Sequence, residues 1–240
     1  METKYLLLWL EAPLQSWGAD SKFNRRDTVK FPTKSGITGL LLSALGASGE
    51  QTELLSRLAP MRLTIISFIR SRQADDSRQI KVAPEPLLQD FHMVGSGYND
   101  SNPWETLLIP KTSDGKKAVG GGTKMTYRFY LQDARFAAIV EIPSDLSTTF
   151  EETLKCPVYD LFLGRKNCVP TDFIYRGVFE TENDAFQKAL EIAKEKNLCQ
   201  EFRVIDGESV EGDVITLNDV PLQFGEIKKY KDRRVTVIYA

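Results

Sequence analysis

The sequence predicts an α+β fold, and three observations carry that expectation. Residues 5–10 are apolar at every position, the pattern of a strand covered on both faces. Residues 182–196 place Ala185, Phe186, Ala189, Leu190, Ile192 and Ala193 at helical spacing along one side. Between them, β-branched stretches alternate with helix-like segments and with turn signals of the hairpin kind.

The elements follow in order. After the first strand, residues 11–34 read as an irregular polar segment anchored by Trp17, Phe23 and Phe31. Ser35 is expected to cap a helix of about ten residues. Its inner face would carry Ile37, Leu40, Leu41, Ala44 and Leu45, with Gly46 near its end. Gly39 inside that helix costs up to about 1 kcal/mol relative to alanine; close approach of another chain would explain it, as would simple tolerance. A second, short helix over 51–58 stops at Pro60, and a strand follows over 62–69.

From 71 to 124 the chain turns polar and rich in glycine, proline and charge, including Gly120-Gly121-Gly122. Such length without periodicity is unusual for a connection inside a compact domain. An extended β-hairpin arm over 72–125 that orders against a partner is expected. Strands are then expected near 126–131 and 135–142, separated by a tight turn at Gln132-Asp133. A helix over 146–155, the segment 159–169, the helix at 182–196 and strands near 201–205, 213–217 and 234–239 complete the chain. This order suggests a ferredoxin-like core in one domain over 1–240, with the inserted arm and a C-terminal β extension over 200–240.

The 42% hydrophobic and 27% charged fractions are those of a soluble globular protein. No apolar run approaches the roughly 20 residues a bilayer crossing needs, and the start, running straight into a strand, suggests no signal peptide. Cys156, Cys168 and Cys199 are odd in number without CxxC spacing, and His92 is the single histidine. These give no plausible zinc site; the expectation is a reduced, cytoplasmic protein with no metal or cofactor.

A net charge of −2 and a pI near 5.7 argue against a general nucleic-acid binder. The distribution points elsewhere. Residues 111–135 carry Lys111, Lys116, Lys117, Lys124, Arg128 and Arg135 against Asp114 and Asp133, and residues 227–240 are basic, whereas 206–226 holds acids and no lysine or arginine. Such segregation suits a cationic groove on an acidic body, or ordinary surface scatter.

Catalytic signatures are scarce. No nucleophile elbow, phosphate-binding loop or metal-binding helix motif is present, and the turn at Gly95-Ser96-Gly97-Tyr98 follows no strand. A metal-independent ribonuclease would have to use His92 with Lys116 or Lys117; a contact or packing role for His92 is the simpler expectation. A small-molecule enzyme on this scaffold is not excluded by fold, but no cluster supports it.

Binding signatures are stronger. Lys34-Ser35-Gly36 offers a phosphate-sized site at a helix start. Gly164-Arg165-Lys166-Asn167, after the apolar 161–163, combines a glycine turn with two cations. The basic stretch 111–128 has Tyr127, Phe129 and Tyr130 within or beside it, the mixture that suits single-stranded RNA.

Taken with Pro13-Leu14-Gln15-Ser16-Trp17-Gly18, Phe31-Pro32-Thr33-Lys34-Ser35-Gly36, Gly39-Leu40-Leu41, Asp90-Phe91-His92 and 162–170, the chain resembles the CRISPR-associated RAMP family, in particular CasD-type subunits of type I-E Cascade. The resemblance implies an RRM-related core with a thumb-like arm, and a non-catalytic subunit binding the 5′ handle of the CRISPR RNA. It implies contacts with the backbone subunit, with the large PAM-reading subunit and with target DNA near the PAM-proximal end. Gln15, Trp17, Gly18 and Arg25 would lie beside the handle; Lys34, Ser35 and Gly36 would meet phosphate; Gly164, Arg165, Lys166 and Asn167 would form a clamp; His92, Lys116, Lys117 and Lys124 would belong to the arm. The related type I-C subunit is itself an endoribonuclease, which keeps His92, Lys116 and Lys117 as the alternative.

Overall fold

Strand β1 (Thr3–Gln15) is the axis of the molecule, with both of its neighbours supplied by much later segments. The computed structural model describes residues 2–18, 24–73, 79–94, 102–107, 111–116 and 124–240. In chain order after β1 come β2 (Arg25–Arg26), α1 (Lys34–Leu45), α2 (Thr52–Leu58), β3 (Leu63–Gln73), β4 (Gln79–Lys81), β5 (Leu88–Val94) and α3 (Pro103–Leu107). Then follow β6 (Lys124–Pro143), α4 (Ser147–Lys155), β7 (Tyr175–Phe179), α5 (Glu182–Glu195), β8 (Leu198–Asp206), β9 (Asp213–Gln223) and β10 (Lys229–Tyr239).

The main sheet runs β7-β1-β6-β3-β8-β10-β9 with antiparallel pairing. The short β2 adds parallel to β6, β4 pairs with β3, and β5 pairs with β6. β1 is apolar at successive positions because both faces are covered. Leu6, Leu8 and Leu10 share one core with Ile37, Leu40 and Leu41 of α1 and with Phe150 of α4. Leu7 and Trp9 share the other with Ala185, Ala189, Ile192 and Ala193 of α5. Each large aliphatic side chain so enclosed contributes about 1.5–3 kcal/mol. The small alanines let α5 lie close to the sheet, with Phe186 and Leu190 half-buried at its margins.

Several expectations are corrected. Residues 11–15 continue β1 instead of opening an irregular segment, because they pair with β6 down to Gln15↔Leu131. No turn interrupts β6 at Gln132-Asp133. Asp133 adopts φ +48°, a conformation aspartate tolerates better than most residues, and pairing resumes on both sides of it at Leu14↔Gln132 and Ala12↔Ala134. α1 is capped by Thr33, whose hydroxyl accepts from the Gly36 amide, while Ser35 lies inside the helix. The strand β7 was not foreseen: only five residues long and broken by Gly177, it shows no clear alternation.

Within 71–124, β3 extends to Gln73 and returns as β4, and β5 runs against the first half of β6. Phe23, the Gly95–Tyr98 turn, Lys117 and the triple glycine at 120–122 lie outside the described residues, as does the side chain of Lys124. The strands of 200–240 join the main sheet directly through the β3–β8 pair. No helix among the described residues is long and apolar enough to cross a membrane.

Candidate nucleic-acid interface

Two motifs far apart in sequence form one wall. The backbone amide of Ser16 donates to the Leu163 carbonyl at 3.1 Å. Gly164 adopts φ +100°, and a Cβ there would run into the Ser16 carbonyl oxygen. Only glycine fits, on both steric and conformational grounds. The turn that follows is tied at both ends: the Leu163 amide donates to the Cys168 carbonyl and the Cys168 amide to the Arg165 carbonyl, each at 2.8 Å. Cys168 itself is buried, and burial pushes its thiol pKa up.

Behind this wall, Gln15 and Trp17 are fully enclosed. The Gln15 amide donates to the carbonyls of Leu10 (3.1 Å) and Ala134 (2.7 Å) and accepts from the Trp17 indole N–H (3.1 Å). The Trp17 ring in turn lies under α1, so close to Gly36 that a Cβ there would stand 2.7 Å from it. Gln15, Trp17, Gly36 and Gly164 are therefore packing residues that shape the surface. Gly18 is exposed with open space around it.

The expected anion seat at the start of α1 is filled from within. The Lys34 amide donates to the Asp219 carboxylate at 2.7 Å. Lys34 is 7% exposed; its ammonium donates to the carbonyls of Ala59 (2.8 Å) and Met61 (2.5 Å) and lies 3.9 Å from Asp206. Burial pushes its pKa down, with Asp206 working in the opposite direction. Arg233 completes the group, donating to both oxygens of Asp219 (2.7 and 2.9 Å) and to Asp206. Burial disfavours the Arg233 charge, but the two carboxylates outweigh it and raise its pKa. Lys34 is thus an internal strut, correcting the expectation of a cation presented to solvent.

In front of α1 lies a cleft of about 560 Å³. Ser35, Gly36, Gly39 and Ser43 form its floor, one face of the helix. Tyr159, Asp160, Phe162, Gly164 and Lys166 form one side, and Phe224, Gly225 and Lys228 line it as well. A Cβ on Gly39 would meet nothing within 4 Å, so this glycine widens the cleft. The adjacent cations divide their work. Lys166 lines the cleft, whereas Arg165 turns away, donating to the Arg26 carbonyl at 2.8 Å with its guanidinium 4.7 Å from the Tyr130 ring centroid. Asn167 is exposed on the same turn.

The remaining expected residues stand elsewhere. Arg25 pairs with Asp27 at 2.8 Å and lies 4.6 Å from the Phe129 ring centroid. His92 is on β5 opposite Thr126, with Nε2 2.5 Å from Asp90. Lys116 is exposed in a turn closed by its amide to Thr112 Oγ1 (3.2 Å), and no hydrogen bond or ion pair joins it to His92. No group of three His, Cys, Asp or Glu side chains that could hold a metal is present among the described residues. Phe224, Lys228, Asp219 and Arg233 escaped the sequence analysis. Their signal was the acidic stretch followed by a basic one, but the pairing of β9 with β10 that brings them together is not written in either.

Three comparisons bear on this geometry. The Cas5 family of CRISPR-associated proteins matches residues 5–236. The Cascade subunit CasD of Escherichia coli (strain K12) is 30% identical over 190 residues, covering 78% of this chain and 75% of that protein. A solved CRISPR RNA-guided surveillance complex contains a chain that superposes with a TM-score of 0.70 at 24% identity, over 98% of this chain and 90% of that one. A crystal structure of a Cas protein superposes with a TM-score of 0.59, again at 24% identity, over 98% and 94%. With the family matched from the first strand to the last, and two of the motifs meeting where Gly164 packs on Ser16, the chain is a member of the Cas5 family, of the CasD kind.

Proposed function

We propose that this protein is a non-catalytic, cytoplasmic subunit of a CRISPR RNA-guided surveillance complex, and that it holds the repeat-derived 5′ handle of the guide RNA in the cleft before α1. The observation that carries this is the seating of Gly164 on the Ser16 carbonyl, which sets the Lys166 turn beside the glycine-lined face of α1. A cleft with a cation and with Ser35, Gly36, Gly39 and Ser43 on its floor admits a sugar–phosphate chain at close range. The β7-β1-β6-β3 order, with α1 and α4 on one face, supports a ferredoxin-like core. The β5–β6 pair, with Arg25 and His92 beside β6, supports an arm reaching toward the guide; Lys116, Lys117 and Lys124 are further RNA contacts in this proposal. The backbone subunit, the large PAM-reading subunit and the PAM-proximal target DNA are the partners this role requires.

The test is guide-RNA content of the assembled complex. Replacing Lys166 with alanine should leave assembly intact but release the handle at lower salt than in the parent complex. Equal retention across a salt titration would remove the clamp from the proposal.

A further inference from the structure

We infer that the β9–β10 turn is the second wall of the cleft, with Lys228 contacting a phosphate and the Phe224 ring stacking on one nucleobase; this rests on the function proposed above. That turn follows β9 and is braced from behind. The Phe224 amide donates to the Glu50 carbonyl at 3.0 Å. Gly225, at φ +83°, brings its backbone against Gly49 and Glu50, where a Cβ would stand 3.4–3.6 Å from their backbone atoms. The Phe224 ring is held edge-on by Tyr230, 6.5 Å between centroids at 69°. A half-buried aromatic fixed in this way offers a stacking surface with little further loss of freedom.

The charges fit the same occupant. Lys228 is exposed, lines the cleft with Lys166 and has no ion-pair partner among the described residues, in contrast to Lys34 and Arg233, which are consumed internally. Among the described residues that line it, two cations stand against one carboxylate, Asp160, which leaves the cleft positive on an acidic protein. Asp160 is an acceptor for the N–H groups on a base edge and disfavours a bare polyanion. An aromatic ring, cations and one acceptor select a nucleotide over an inorganic phosphate. The cleft volume lies within the roughly 300–1,000 Å³ of small-ligand sites.

The experiment uses the full chain and a short single-stranded RNA of mixed sequence carrying 2-aminopurine, with affinity read by anisotropy across a salt series. Lys166→Ala and Lys228→Ala should each weaken binding several-fold and each flatten the log–log salt slope by about 0.7. Phe224→Leu should abolish the stacking-dependent quench of 2-aminopurine with the slope unchanged. Unfolding midpoints equal to the parent confirm that each variant is folded. If Lys166→Ala weakens binding while Lys228→Ala and Phe224→Leu behave as the parent does, the second wall is wrong and the cleft stands. If the parent binds and Lys166→Ala binds equally well, or the parent does not bind, the cleft itself is refuted.

Discussion

Two glycines lie beside the same cleft for opposite reasons. At Gly164 the positive φ and the Ser16 carbonyl exclude a side chain, so Gly164→Ala should destabilise the fold by about 1–3 kcal/mol, read from the denaturant midpoint. At Gly39 nothing occupies the space. Gly39→Ala should therefore stabilise the helix by about 0.5–1 kcal/mol while lowering RNA affinity, and a stability gain without an affinity loss would make that glycine mere tolerance. Glu11 gives a prediction of another kind. Burial raises its pKa, but the Trp9 indole (2.9 Å), Lys196 (2.9 Å) and Arg135 (3.2 Å) outweigh this and hold it below the ordinary value of 4.5. A depressed native pKa adds stability that is complete above that ordinary value and fades as pH falls through the native one. Glu11→Gln should accordingly flatten the acid limb of a urea-midpoint profile, and an unchanged limb would show that the site does not titrate with folding.

At the scale of elements, the decisive contact is between α1 and the C-terminal strands. Asp219 on β9 binds the first amide of α1 and is itself held by Arg233 on β10. Removing one member of a buried charge group typically costs about 3–5 kcal/mol. Asp219→Ala should fall in that range by chemical denaturation, and a double variant with Arg233→Met should recover part of the loss. Additive losses would mean the two do not act as one unit. This contact also marks the limit of what the sequence disclosed. β1 and α5 were legible because their apolar periods are unambiguous, and α1 because its leucines and closing Gly46 agree. The turn expected at Gln132-Asp133 failed because β1 pairs with β6 immediately before and after Asp133, so the strand carries one left-handed residue without stopping. The anion seat expected at Lys34 failed because its occupant, Asp219, lies on a distant strand in an acidic run with no local signature. The meeting of Ser16 with Gly164 was legible as two motifs, and their contact only as geometry.

For the molecule as a whole, a net charge of −2 coexists with cations lining the cleft, so RNA retention should depend on salt through a few contacts instead of a broad basic surface. Incubating the full chain with repeat RNA in EDTA should leave the RNA intact; cleavage that disappears in His92→Ala would reverse the non-catalytic assignment. The placement of β1 has a further consequence, for the newborn chain. Its partners, the second half of β6 and then β7, emerge from the ribosome on the order of ten seconds after it does at typical synthesis rates. Throughout that interval an uninterrupted greasy segment has nothing to pair with, so nascent fragments that end before β7 should be captured by chaperones or clump.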